Sequence, residues 1–180
     1  YAGLNGLEQW VKQADQPKDR AILHSLIAEI YANYAADNQW QLRQRTEIVG
    51  QTPSTDIREW TANMFVEKVR TNVKEALADS VLLLKTSSRD YIPFVELGKT
   101  SEYYHHDLYH LLASRGIDAL LQVERLGSGH AETNAVNPVK QDIIAIYGNM
   151  LSAYKAAGLK EGYVLTALNY LEWRRGAERY

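Results

Sequence analysis

Residues 19–35 read DRAILHSLIAEIYANYA, and the fold turns on how they are read. The run holds no glycine or proline, and its bulky apolar residues recur as Ile22/Leu23, Leu26/Ile27, Ile30 and Tyr34. Steps of three and four put these side chains on one stripe of an α-helix of about four turns, whereas a half-buried strand would alternate. Asp19 is the expected N-cap. The same spacing recurs on either side. Upstream, Leu4, Leu7, Trp10, Val11 and Ala14 predict a first helix, broken at DQPKD over 15–19. Downstream, residues 55–85 lack Gly and Pro and carry Ile57, Trp60, Met64, Val66, Val69, Val73, Leu77, Val81 and Leu84, which predicts one long helix capped by Ser54 or Thr55. Three further helices are expected. One runs over about 102–125 and one over about 139–157, ended by Gly158 as a C′ residue. The last, over about 161–175, has Tyr163/Val164, Ala167/Leu168, Leu171 and Trp173 as its apolar face.

No segment sustains strand-like alternation, so the expected class is all-α: about six helices, paired antiparallel in an irregular bundle or a short α-solenoid. No fixed repeat period supports more than a tetratricopeptide-like arrangement. Residues 1–180 are read as one helical domain, with flexible loops near 37–54, 86–101 and 127–138. The chain starts at Tyr1 and ends in WRRGAERY, which suggests a piece of a longer polypeptide.

Composition narrows the chemistry. With no cysteine, disulfides, thiolate metal sites and cysteine nucleophiles are excluded. The 20 basic and 22 acidic residues are interspersed, without the basic patch of a nucleic-acid binder. Twelve tyrosines against two phenylalanines favour partly exposed aromatic positions, such as groove walls and contacts.

The densest chemistry lies in SEYYHHDLYHLL, residues 101–112, with three of the five histidines. HDLYH differs from the zinc-protease pattern H-E-x-x-H by Asp107 in place of Glu. On a helical wheel Tyr104, Leu108, Leu111 and Leu112 form the apolar stripe, and His106 and His110 point away from it beside Tyr103 and Ala113. A third metal ligand would have to come from His105, His24, His130 or a carboxylate. Asp107 is one methylene short of a glutamate and better placed to meet His110 at i+3 or to favour the helix N-terminus. The favoured reading is therefore packing of a polar helix face, with no metal and no cofactor assigned. No phosphate loop and no G-x-S-x-G nucleophile motif occurs.

The blocks AILHSLIAEIYANY, DIREWTANMFVEKV and YIPFVELGKTSEYYHHDLYHLL, within residues 21–112, resemble the N-terminal region of bacterial alpha-2-macroglobulin-like envelope proteins. The tail YGNMLSAYKAAGLKEGYVLTALNYLEW is compatible. The resemblance implies a helical region ahead of β-sandwich domains, in an exported, often lipid-anchored protease trap of the periplasm or outer membrane. The thioester of such proteins needs a cysteine, so this piece is not the thioester domain, and no catalytic residue carries over.

The expected function is thus a non-enzymatic helical scaffold or recognition domain. Its partners would be other domains of the same polypeptide, or proteases and envelope proteins met through the parent. The alternative is a free-standing helical-repeat module whose Tyr147, Tyr154, Tyr163 and Tyr170 line a groove for a peptide or partner helix. Interface candidates are Tyr103, His106, His110 and those four tyrosines. The least favoured reading is a metal-dependent hydrolase using His106 and His110.

Overall fold

The computed structural model describes residues 2–45, 54–91, 98–99, 104–126 and 137–177. These form eight α-helices: α1 (Ala2–Gln13), α2 (Pro17–Asp37), α3 (Gln39–Arg43), α4 (Ala62–Leu77), α5 (Ser80–Leu84), α6 (Leu108–Glu124), α7 (Pro138–Ala157) and α8 (Lys160–Ala177). Two 3₁₀ turns, Ile57–Glu59 and Ser88–Tyr91, stand between them. Among the described residues there is no strand, only one isolated antiparallel bridge, Ser87 to Asp107. No described helix is long and apolar enough to cross a membrane. The all-α expectation holds.

Helices α2, α4 and α6 pack mutually and carry the core. The buried face of α2 is not the one its bulky residues suggest. Ala21, Ser25, Ala28, Ala32 and Ala35 line it, flanked by Ile27 and Tyr31, while Leu26 and Ile30 are 36% and 40% exposed. A central helix enclosed by two larger faces, Phe65–Val69–Val73 of α4 and Leu112–Ala113–Leu120 of α6, needs small side chains where they close on it. Gly116 serves the same end on α6. A Cβ there would sit 2.9 Å from Val73 Cγ1, so the missing side chain lets α6 close on α4.

Several helix boundaries differ from those expected. Gln16 precedes α2 and Pro17 takes its first turn, so Asp19 is an acidic first-turn residue and not the cap. The long helix over 55–85 is three pieces. Asp56 accepts from Arg58 N–H and starts the 3₁₀ turn. Thr61 accepts from Met64 N–H at 3.4 Å to start α4, and Asp79 accepts from Leu82 N–H at 3.2 Å to start α5. Short oxygen-bearing side chains took the backbone donors and restarted the helix each time, without Gly or Pro. Residues 39–43, placed in a loop from sequence, form α3, with Leu42 buried and Trp40 73% exposed. Of the other expected loop residues, 46–53, 92–97, 100–101 and 127–136 lie outside the described residues, whereas Ser88–Tyr91 form a 3₁₀ turn and Pro138 opens α7.

The end of α7 follows expectation. Gly158 is left-handed at φ 70°, its N–H donates to Lys155 O, and Leu159 N–H donates to Tyr154 O. The short turn folds α8 back along α7 as an αα-hairpin. On α8, Gly162 and Thr166 are buried and Tyr170 and Trp173 pack on the core's edge. Tyr163, Val164, Leu168 and Leu171 are exposed, so the expected face is outermost.

Candidate functional site

The histidine-rich segment is held from outside its own helix. Backbone pairing joins it to residues 86–88: Leu108 N–H donates to Thr86 O at 2.8 Å, and Ser88 N–H donates to His106 O at 3.0 Å. The Ser88 hydroxyl, 1% exposed, is shared between His105 O and His106 O at 2.8 and 2.9 Å. The helix starts at Leu108, six residues later than expected, because Asp107 is its N-cap: Oδ1 accepts His110 N–H at 2.8 Å.

The same carboxylate turns to the ring of His110. Oδ2 lies 2.7 Å from His110 Nδ1, and His110 Nε2 lies 3.2 Å from Met150 O on α7. Both ring nitrogens are thus engaged inside the protein, one by the carboxylate and one by a backbone carbonyl. The side chains are 1% and 5% exposed. Tyr154 stacks on His110 at 3.6 Å, and Tyr109 meets it edge-on at 5.5 Å. His110 is thus a core residue, not part of a polar face. The wheel misplaced it because α7 packs on that side of α6, with Met150 O beside the ring.

His105 caps this assembly. Its backbone is left-handed at φ 57°, unusual for a non-glycine residue. Its N–H donates to the Tyr154 hydroxyl at 3.3 Å, its ring stacks on Tyr104 at 3.8 Å, and Nε2 lies 2.6 Å from Ser114 Oγ. Burial, reinforced by the charge of His110 and only partly offset by Asp107, pulls the His105 pKa from 6.5 down to about 4. Burial raises the Tyr154 hydroxyl well above its ordinary value, and that of Tyr147 to about 12. Both hydroxyls remain neutral at neutral pH.

A serine 2.6 Å from an imidazole has the look of a nucleophile and its base. A base titrating near 4 is weak at neutral pH, and the nearby carboxylate, Asp107, is committed to His110. Metal binding fits no better. His106 precedes the helix and is part-exposed; its Nδ1 is 3.5 Å from Asp107 Oδ2, and its ring centre is 6.4 Å from that of His110. Both His110 nitrogens are used internally. Among the described residues no three His, Asp or Glu side chains converge as a metal site. His24, on α2, pairs instead with Asn72 on α4 at 2.8 Å. His130 and Tyr103 lie outside the described residues.

The tyrosines expected to line one groove are divided. Tyr147 and Tyr154 are 7% and 0% exposed, Tyr170 is half-buried against Tyr147 at 5.0 Å, and Tyr163 is exposed. Open grooves occur elsewhere, two of them sizeable. One of about 700 Å³ runs between α1, α2 and α4 past Glu8, His24, Trp60 and Lys68. The other, about 570 Å³, lies between α4, α5 and α7 past Arg70, Lys74 and Asp142. Neither opens onto the histidine cluster.

The surface that sequence reading missed is the outer face of α8. Val164, Leu165, Leu168 and Leu171 are 53%, 38%, 57% and 63% exposed on one helix. A contiguous apolar stripe of this kind marks an interaction surface more often than scattered single residues do. The signal was in the sequence: α8 is apolar around more of its circumference than one buried face requires. No family model matches the chain, and neither a curated protein nor a solved structure matches it significantly.

Proposed function

We propose that this chain is a non-catalytic helical recognition domain that docks through the outer face of α8. The observation that carries the reading is the uncovered stripe Val164–Leu168–Leu171, on a helix whose other side already packs on α7. The chemistry-bearing residues support it by exclusion, since the Asp107–His110 pair is buried and hydrogen-bonded internally. The α7–α8 hairpin also suits a helical-repeat module, in which neighbouring helix pairs bury one another's faces. Membership of an alpha-2-macroglobulin-like envelope protein, with a periplasmic or outer-membrane setting, is supported by the wording of residues 21–112 alone.

The test is site-specific photocrosslinking in cells. A benzophenone side chain at Val164 should give discrete adducts that Leu168→Lys abolishes. The same group at Gln41, exposed on α3, should give none. Equal labelling at both positions, or none at Val164, would rule the reading out.

A further inference from the structure

The stripe on α8 has an internal symmetry. Glu161, Val164, Leu168, Leu171 and Arg175 follow one another at steps of three, four, three and four, the seam spacing of paired helices. All five are exposed. About Leu168 the charged ends are symmetric, with an acid seven residues before it and a base seven residues after, while Val164 lies four residues before it and Leu171 three after. A second α8 laid antiparallel, with a two-fold axis at Leu168, therefore sets Leu168 against its own copy and brings Val164 beside Leu171 of the other, offset by one residue or about 1.5 Å along the axis. Each Glu161 then stands level with an Arg175, about 10 Å from the centre along the helix. A parallel pairing would instead put like charges together at both ends.

From this self-complementarity we infer that the occupant of the α8 face is a second copy of the same chain, joined in an isologous, antiparallel α8–α8 contact. The inference rests on the proposed docking role of α8 and names its partner. Val164, Leu168 and Leu171 of each copy, six side chains in all, form the centre, and the two Glu161–Arg175 pairs fix direction and register. Leu165 and Glu172 lie along one edge of the seam and Tyr163 lies outside it. A single pair of helices buries an area at the low end of specific interfaces, at or below about 1,200 Å² in total, so the dimer is weak and forms with rising concentration.

Sedimentation equilibrium of the purified protein between about 5 and 500 µM tests this. The mass should rise from that of the 20.5 kDa monomer toward twice that value. Leu168→Lys, which sets two charges against each other on the axis, should weaken association at least tenfold while the circular dichroism spectrum and melting curve stay unchanged. Glu161→Arg or Arg175→Glu alone should weaken it about three- to tenfold, and the double exchange should restore it, because exposed pairs are worth modest but additive amounts. A monomer throughout the range, a dimer indifferent to Leu168→Lys, or a double exchange that fails to restore association would overturn the inference. The Val164 adducts separate this failure from that of the docking role. An adduct of twice the monomer mass supports the second copy. An adduct of another mass overturns the second copy and leaves recognition standing, and no adduct removes both.

Discussion

His105→Asn should flatten the acid side of the protein's stability profile. His105 titrates near 4 in the folded chain against an ordinary value of 6.5, because burial and the charge of His110 oppose a second cation. Between those values the unfolded chain binds a proton that the folded chain does not. Stability contributed by neutral His105 is therefore complete above pH 6.5, falls as the pH drops, and levels off below about 4. At 1.36 kcal/mol per pKa unit the full difference is about 3.4 kcal/mol, and partial exposure of the ring reduces it to about 2 kcal/mol. Asparagine tolerates the left-handed backbone that His105 adopts at φ 57°, so the variant should fold and lose only the titration, the Ser114 contact and the stack on Tyr104. The assay is urea unfolding of both proteins at pH 7.0, 5.5 and 4.0. Carboxylates common to the two cancel in the difference. The wild type should lose about 2 kcal/mol more than the variant between pH 7 and 4. Parallel curves would mean that His105 is not held neutral by its surroundings, and the reasoning would fail.

Three other perturbations probe the packing. Asp107→Asn keeps a good N-cap and lets a neutral His110 accept from the amide, so chemical denaturation should show a loss of about 1–2 kcal/mol; Asp107→Glu loses the cap geometry in a site only 5% exposed and should cost more, about 2–3 kcal/mol. Gly116→Ala gains helix propensity of about 1 kcal/mol but presses on Val73, so a net loss of about 1 kcal/mol is expected, and a double-mutant cycle with Val73→Ala should show a favourable coupling of similar size. Tyr31→Phe removes the 2.9 Å bond to Glu8, which ties α1 to α2, and should cost about 1 kcal/mol, with early hydrogen exchange confined to α1.

The helical class was legible because a 3.6-residue period survives without any tertiary information. Which side of a helix is buried was less so. In α2 the bulky stripe was the wrong choice, since a helix at the junction of two others needs alanines inward, and Leu26 and Ile30 are what remains outside. In α8 the same preference for bulk assigned the outward stripe to the core. Breaks were missed where Thr61 and Asp79 restart a helix, because periodicity runs through a cap that shifts the axis without shifting composition. Gly158 was legible because a left-handed C′ position is nearly a signature of glycine. The role of Asp107 was half legible. Its reach to His110 follows from i,i+3 spacing, but burial of the pair depends on α7, which is remote in sequence.

The difference between HDLYH and a zinc-binding H-E-x-x-H is therefore a difference in where a helix begins. The zinc motif needs both histidines inside a helix, so that i and i+4 share a face and leave their nitrogens free. Aspartate is short enough to bond the N–H of the third residue after it and is among the preferred N-caps; glutamate is not. With Asp107 as cap, His106 falls outside the helix and loses the i,i+4 relation, while His110 becomes the third residue inside and receives the second oxygen of the cap. One missing methylene thus leaves one would-be ligand outside the helix and the other buried and bonded to the cap. The segment's chemistry is spent on joining α6 to α7, which is why the proposed docking role falls to the exposed side of the next helix, α8.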